Sequence, residues 1–162
     1  MSESERPADD AVDLPAIRGE WVGYQFAREE FAITRDDMLG WAEACGETDP
    51  RFVDPDHDDF QAHPAFTTHL VTGRILPEGF PRIKGRSIDG GKAVHVTGPV
   101  REGDTLVGEA TIDDVYDKTG RSGRMVFVVQ RMSFTNQRGE HVANVDWRMI
   151  RNQSIEGGEG RE

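Results

Sequence analysis

Glu47 and His63 are the residues of this chain whose side chains are best suited to acid–base chemistry. General acid–base chemistry needs one positioned group that accepts a proton and one that donates it. A glutamate carboxylate can accept a proton, and an imidazole can give or take one near neutral pH. Glu47 is therefore a candidate catalytic residue, and His63 is a second candidate acid or base.

A helix is expected immediately before Glu47. Residues 34–37 read TRDD, a capping-box pattern with Asp in the last place, and the apolar positions that follow at helical spacing are Met38, Trp41, Ala42 and Cys45. Gly46 is a natural helix end, because glycine tolerates the left-handed conformation there. The pattern predicts a helix over 34–45 with Cys45 as a small buried residue. A polar loop over 48–64 then separates Glu47 from most of the chain that follows.

In much of the rest of the chain, apolar and polar residues alternate as they do in β-strands. Residues 20–33 predict an early strand, and the spacing of Phe66, Leu70 and Ile75 predicts a buried helix over 65–76. Four further strands are predicted over 92–100, 105–116, 124–135 and 141–150, joined by short turns. The expected fold is α+β, with a curved antiparallel β-sheet wrapped around a central α-helix.

Three short motifs carry a resemblance to a known family. Residues 46–54 read GETDPRFVD, residues 62–67 read AHPAFT and residues 99–106 read PVREGDTL. In this order they resemble the Gly-Asp-x-Asn-Pro-x-His-x-Asp, Ala-Pro-Pro-Thr-Phe and Pro-x-x-x-Gly-Asp-x-Leu segments of MaoC-like and FAS1-like dehydratase domains. The chain is thereby identified as resembling the N-terminal type of these domains, which usually lacks the catalytic Asp/His pair.

The resemblance implies a single hot-dog fold that forms dimers and binds an acyl thioester of coenzyme A or acyl carrier protein. It implies that the acyl tail lies along the central helix and that the thioester carbonyl meets backbone N–H groups at a helix start. It also implies that substrate contacts come from the two motifs around the loop: Asp49, Phe52, Pro64, Phe66 and Thr67. No cofactor is implied.

Two positions depart from the family pattern. Glu47 stands at the Asp position, and Phe52, which can neither give nor take a proton, stands at the His position. The resemblance therefore favours the acyl-binding subunit of a 2-enoyl-thioester hydratase or 3-hydroxyacyl-thioester dehydratase, paired with a hot-dog subunit that carries the Asp/His pair. Three alternatives stay open: a non-catalytic acyl-CoA-binding module, a self-sufficient homodimeric hydratase that uses Glu47, and a hot-dog thioesterase.

The length and net charge of the chain limit its domain number and the classes of partner it can bind. The 162 residues predict one domain over 15–151, with a flexible segment over 1–14 and a disordered tail over 152–162. The net charge of −11 argues against a nucleic-acid partner and against anionic membranes. No signal peptide or membrane-spanning stretch is visible, so the cytoplasm is the expected compartment.

The roles of three basic residues and of three histidines remain to be assigned. Arg82, Lys84 and Arg86 are either a solvated loop or contacts for the coenzyme A phosphates. The single cysteine excludes a cysteine-based metal cage. His57, His63 and His69 are six apart, which is not the spacing of two-histidine metal motifs, so no metal site is expected.

Overall fold

The computed structural model describes residues 12–121 and 123–153, and these residues form a five-stranded sheet with short helices. The helices are α1 (Leu14–Trp21), α2 (Arg35–Ala44) and α3 (Pro50–Val53), and one 3₁₀ turn spans Phe66–His69. The strands are β1 (Gln25–Ala32), β2 (Arg86–Val96), β3 (Thr105–Gly120), β4 (Gly123–Asn136) and β5 (His141–Gln153). The expected α+β class is confirmed.

The sheet is antiparallel, with strand order β1-β3-β4-β5-β2. Strands β3, β4 and β5 form the expected meander, and their register places Ala110 beside Met132 and Met132 beside Val145. Because side chains alternate across a strand, these three residues share one face. That face is apolar and buried, and all the helical elements that pack on the sheet cover it.

Helix α2 forms where the sequence predicts it. The Thr34 hydroxyl accepts a hydrogen bond from the backbone N–H of Asp37, which satisfies a free donor at the helix start. Met38 and Ala42 are buried, Met38 packs in the core with residues of the sheet, and Gly46 has a positive φ of 68° just past the helix end. Cys45 is exposed, so its predicted burial is wrong. The helix ends at Ala44, and Cys45 is its C-cap residue, whose N–H still donates to the carbonyl of Trp41.

Helix α1 is an element that the sequence analysis missed. Asp13 caps it through the backbone N–H of Ala16, and its Leu14, Ile17 and Trp21 side chains are buried in a second apolar cluster with residues of β3 and β4. Two sequence features could have predicted this helix: an aspartate cap shortly before Pro15 and the helical spacing of the three apolar residues. Leu14 therefore belongs to the core and not to the flexible segment predicted over 1–14.

The C-terminal boundary also differs from the expectation, because β5 continues through Asn152 and Gln153. Strand β2 begins at Arg86 rather than at residue 92, and Gly90 and Gly91 lie in a register shift between Asp89 and Lys92. Two adjacent glycines hide a strand from pattern analysis because they contribute no side chains to it. The remaining parts of the predicted flexible ends, 1–11 and 154–162, lie outside the described residues.

The helix predicted over 65–76 is wrong. Only a four-residue 3₁₀ turn forms, and the chain after His69 is irregular, with Val71 and Ile75 exposed. Phe66 and Leu70 do pack on the core, which explains the apparent helical spacing. Several β-branched residues and Gly73 lower the helix propensity of this stretch, so tertiary contacts determine its path.

Candidate functional site

A cleft opens between the loop that contains His63 and the end of the sheet. Its walls come from residues 61–67, from residues 96 and 98–100, and from the first residues of β5. The cleft is shallow, and the space inside it that a small molecule could occupy is about 30 Å³. Of the site residues expected from the sequence, His63, Pro64, Phe66 and Thr67 line it. Val142 and Ala143 also line it, although the sequence pattern predicts only a strand at these positions.

Backbone hydrogen bonds hold the two walls of the cleft together. The N–H of Ala62 donates to the carbonyl of Val100 (2.8 Å), and the N–H of Gly98 donates to the carbonyl of Val142 (3.1 Å). The 62–67 motif and the Gly98–Val100 part of the third motif region are thus neighbours in space. Only folding brings them together, since more than thirty residues separate them in the chain.

Glu47 and His63 meet at this part of the molecule. The Oε2 atom of Glu47 lies 3.3 Å from Nε2 of His63, and each side chain is about one-fifth exposed. The Nδ1 atom of His63 accepts a hydrogen bond from the backbone N–H of Ala65 (3.1 Å). A nitrogen that accepts carries no proton, so in the neutral ring the proton is on Nε2, facing Glu47.

Backbone donors fix the ionisation of Glu47. Its Oε1 atom accepts hydrogen bonds from the N–H of Thr48 (2.7 Å) and of Asp49 (2.9 Å). These bonds favour the charged form, so the amide of Asp49, and then that of Thr48, holds the pKa of Glu47 below its ordinary value. Glu47 is therefore a carboxylate that orders the loop between α2 and α3.

Asp49 caps the short helix α3 and is not part of the cleft wall. It accepts from the side chain and the backbone N–H of Arg51, and these two contacts, in that order, lower the pKa of Asp49 to about 2. Its helix-initiating role before Pro50 follows directly from the sequence pattern.

Phe52 stands against His63. Its side chain is 8 % exposed, and its ring meets the His63 ring edge-on with 5.5 Å between centroids. The guanidinium of Arg51 lies 5.1 Å from the centre of the Phe52 ring. The position that holds the catalytic histidine in the family pattern therefore presents an apolar surface to His63.

The backbone donors at the start of the 3₁₀ turn are largely engaged. Ala65 donates to the His63 ring, Phe66 donates to the His63 carbonyl and Thr68 donates to the Ala65 carbonyl. These N–H groups are not free for a thioester carbonyl in this conformation, in contrast to what the resemblance implies. The hydroxyl of Thr67 differs, because it is buried and has no hydrogen-bond partner among the described residues.

Arg82, Lys84 and Arg86, the candidate contacts for coenzyme A phosphates, do not lie at the cleft. Arg86 pairs with Asn152 at one end of β2, and Ile83 is buried in the α1 cluster. Val96, which lines the cleft, ends the same strand, so the strand rise separates Arg86 from the cleft by roughly 30 Å. The fold does not bring Arg82, Lys84 and Arg86 together with the cleft of their own chain.

The other histidines have local roles. The Nδ1 atom of His57 accepts from the N–H of Asp59, and the His69 ring stacks on Trp41. Within residues 12–121 and 123–153, no three His, Cys, Asp or Glu side chains are grouped as a metal site requires. In the same part of the chain, no helix is both long and apolar enough to span a bilayer.

Comparison with known proteins agrees with this architecture. Residues 20–145 match the family model of the FAS1-like dehydratase domain region. A UPF0336 protein from Streptomyces avermitilis is 25 % identical over 155 residues, which is 88 % of this chain and 99 % of that protein.

Two solved structures show the same fold at low sequence identity. The unliganded R-hydratase PhaJ1 from Pseudomonas aeruginosa is 22 % identical with a TM-score of 0.58, and the match covers 87 % of this chain and 90 % of that one. The C-terminally truncated HadBC complex, a 3R-hydroxyacyl-ACP dehydratase from Mycobacterium tuberculosis, is 20 % identical with a TM-score of 0.55, over 78 % and 93 % of the two chains. The hot-dog architecture expected from the sequence is confirmed, and the chain belongs to the FAS1-like dehydratase domain family.

Proposed function

We propose that this protein is the acyl-binding subunit of a heteromeric 2-enoyl-thioester hydratase or 3-hydroxyacyl-thioester dehydratase, acting in the cytoplasm. The observation that carries the proposal is Phe52, which stands at the position of the family's catalytic histidine and packs edge-on against His63. The cleft beside it is lined in part by apolar side chains, which include Phe66, Val96 and Val142. The proposal is that the chain binds the acyl group and that a partner subunit supplies the proton-transfer groups.

The hydrogen bonds around Glu47 and His63 support a structural role for this pair. Protonation of His63 on Nδ1 would break its bond from the N–H of Ala65, and its Nε2 proton already faces a carboxylate. Glu47 is held as a carboxylate of lowered pKa by two backbone donors, which makes it a weaker base. Neither group is poised to exchange a proton with a substrate.

Strand β2 offers a place for the partner. Among the described residues it pairs only with β5, and its other edge leaves a row of backbone donors and acceptors unpaired. Two large apolar side chains on it, Ile88 and Val96, are exposed. We propose that the edge strand of a second hot-dog subunit pairs here, as HadBC illustrates that this fold forms complexes.

Antiparallel pairing of two equivalent β2 strands would also give the basic residues a role. It would set the Arg86 end of one strand beside the cleft end of the other. Contacts of Arg82, Lys84 and Arg86 with coenzyme A phosphates are therefore proposed for the partner's cleft and not for the cleft of this chain.

Co-purification followed by a hydration assay tests the proposal. A tagged chain expressed in its own organism is expected to retain a second hot-dog protein that carries the Asp/His pair. The retained complex should hydrate a 2-enoyl-CoA, while the isolated chain should bind an acyl-CoA without turnover. A complex with no hydratase activity, or an isolated chain with full activity, would overturn the proposal. Release of free thiol from acyl-CoA would identify a thioesterase instead.

One alternative has an observation in its favour. The 3.3 Å approach of Glu47 to His63 is the carboxylate–imidazole contact that a self-sufficient homodimeric hydratase would need. In that case the isolated chain hydrates enoyl-CoA, and both residues take part in proton transfer. A silent acyl-CoA-binding module, in contrast, shows binding without turnover in any assembly.

The Glu47→Gln variant separates these possibilities. Under the main proposal, the amide oxygen still accepts the two backbone hydrogen bonds, so kcat/KM of the complex should change less than about threefold. Loss of a catalytic base would instead lower it by about a hundredfold or more. Glu43→Gln, an exposed glutamate one turn earlier on α2, is the matched control for loss of charge.

A further inference from the structure

The positive charges of this acidic chain are concentrated at one end of the sheet. Eight of the 19 lysines and arginines, but one of the 30 aspartates and glutamates, fall in three short segments, 82–86, 116–126 and 148–153. The strand register brings these segments together, because Arg86 on β2 pairs with Asn152 on β5 and Arg124 on β4 pairs with Gln153. We call the cations of these three segments the basic end.

Most cations of the basic end are not neutralised by neighbouring acidic side chains. Six of them form no side-chain hydrogen bond or ion pair within residues 12–121 and 123–153: Arg82, Arg86, Lys118, Arg121, Arg148 and Arg151. Arginines elsewhere in the same part of the chain are usually paired, as Arg28 is with Glu30 and Arg35 is with Glu102. The fold therefore leaves a positive surface at the basic end, although the net charge of the chain is −11.

A row of apolar side chains crosses the sheet beside these cations. Tyr116 on β3 pairs with Phe127 on β4, and their rings stack with 4.8 Å between centroids. Phe127 also pairs with Ile150 on β5, which pairs in turn with Ile88 on β2. Ile88 is 37 % exposed, and the other three side chains are half-buried. We call these four residues the apolar strip.

The apolar strip lies on the face of the sheet that the helices leave open. Side chains alternate between the two faces along a strand. Val126 and Val128, the chain neighbours of Phe127, are buried in the cluster that contains the apolar side chains of α1, so Phe127 lies on the opposite face. Among the described residues, the helical elements pack on the core face and not on the strip.

Cations border the apolar strip on both sides. The next row on the same face ends in Lys118 on β3 and Arg86 on β2, and the Nζ atom of Lys118 lies 5.6 Å from the centres of both stacked rings. The row on the other side contains Arg148 on β5. Asp114 lies in that row too, but its carboxylate is paired with Arg18. The open face thus presents an apolar band between positive charges.

The shape and charge of this face fit an acidic amphipathic helix. Four strands at a spacing of about 4.8 Å span about 14 Å, which is close to the diameter of a helix with its side chains, about 10–12 Å. The apolar stripe of such a helix would lie on the strip, and carboxylates beside the stripe would meet Lys118 and Arg148. The net charge of −11 repels an extended anionic surface, whereas a single helix meets the basic end alone.

We infer that the basic end and the apolar strip dock an acidic amphipathic helix of the carrier protein that bears the acyl thioester. This inference rests on the proposed function, because it names what delivers the thioester to the heteromer. The β2 pairing proposed above sets the Arg86 end of this chain beside the partner's cleft. A carrier protein docked on this face would therefore hold its acyl group near the cleft that carries out the chemistry.

A binding titration with acyl carrier protein from the same organism tests the docking surface. Fluorescently labelled carrier protein is titrated with the heteromeric complex, and polarisation reports binding. The double variant Lys118→Glu with Arg148→Glu is expected to weaken binding at least about tenfold, and added salt should weaken binding to the parent complex. A folded double variant that binds the carrier protein as tightly as the parent would overturn the inference.

Matched variants control for net charge and for folding. Arg28→Glu with Arg35→Glu changes the net charge by the same amount at exposed cations outside the basic end, and it should bind the carrier protein as the parent does. Thermal unfolding identifies any loss of folding. If the first double variant unfolds, Lys118→Glu with Arg121→Glu replaces it, since both of these side chains are exposed.

Hydration kinetics separate docking from chemistry. In the complex, Lys118→Glu with Arg148→Glu should raise KM for a 2-enoyl carrier protein at least about tenfold, while kcat and the KM for 2-enoyl-CoA change less than about twofold. An unchanged KM for the carrier-bound substrate overturns this inference and leaves the proposed function intact. A complex that hydrates neither substrate overturns the proposed function, and the carrier titration then decides the docking surface by itself.

Two further measurements identify other occupants of the surface. Flotation with phosphatidylglycerol vesicles reports binding to a membrane, and analytical ultracentrifugation of the chain alone reports binding to a second copy. Neither interaction is expected to depend on Lys118 and Arg148. A parent chain that binds vesicles or self-associates through these two cations, and leaves the carrier protein unbound, would overturn the inference.

Discussion

Replacing Asp104 with alanine is expected to lower the free energy of unfolding by about 3 kcal/mol. The Asp104 side chain is 3 % exposed and accepts hydrogen bonds from the backbone N–H of Arg101, from Gln137 and from the guanidinium of Arg138. Removing the carboxylate leaves these three donors without their acceptor. Urea denaturation at neutral pH measures the loss, and a change below about 1 kcal/mol would contradict the structural role of this residue.

The location of Asp104 explains why the loss of stability in Asp104→Ala should also affect the functional site. The backbone of the Gly103–Asp104 turn exchanges hydrogen bonds with Ile33, which directly precedes the cap of α2. Helix α2 in turn leads to Glu47 and the loop beside the cleft. The Gly-Asp pair of the third motif is thus a structural element that joins the sheet to the helix.

The same residue has a defined pH dependence. Burial raises the pKa of Asp104, but the hydrogen bonds from Arg101, Arg138 and Gln137 outweigh it, and the net pKa is below the ordinary value. Because the folded-state pKa is lower than the unfolded one, the carboxylate stabilises the protein above about pH 4 and this contribution is lost as the pH falls through the folded-state pKa. The difference in urea midpoint between the parent and Asp104→Ala should therefore shrink in acid. Asp104→Asn, which keeps the shape without the charge, should be less destabilised than Asp104→Ala at neutral pH.

Restoring the family's catalytic pair is expected to create hydratase activity in the isolated chain. The double variant Glu47→Asp with Phe52→His should hydrate a 2-enoyl-CoA at a rate at least about a hundredfold above the background measured with the parent chain, which is the lower end of what acid–base groups contribute. The histidine would replace a phenylalanine whose ring already contacts His63, at the position that the motif assigns to the acid–base group. The measurement is the loss of enoyl-thioester absorbance.

Matched controls separate chemistry from packing in this experiment. Phe52→Leu removes the aromatic ring without adding a proton-transfer group and should stay inactive, as should Phe52→His with Glu47→Gln. Binding of butyryl-CoA to each variant reports whether the cleft persists. A folded double variant that binds thioester but shows no gain in hydration would contradict the proposal that the isolated chain lacks hydratase activity because it lacks the Asp/His pair.

Local sequence signals predicted much of the fold. Thr34 and Gly46 marked the two ends of α2, because a capping hydroxyl and a left-handed glycine act within one turn of the chain. The alternation of β3, β4 and β5 was equally local, and it predicted a meander that is confirmed. The helix predicted over 65–76 failed because Phe66 and Leu70 are buried by contacts with distant strands, not by one helical face.

The motifs predicted the family and the hot-dog fold, and they predicted the departure from the family pattern at Phe52, because these predictions depend on residue identity and order alone. The arrangement of the site depends on which distant segments pack together. The contact of Glu47 with His63, the burial of Phe66, and the unpartnered hydroxyl of Thr67 exist only once the sheet and the loop have folded onto each other. No spacing in the chain encodes those distances, since packing of side chains from β5, α2 and the 61–67 segment determines them.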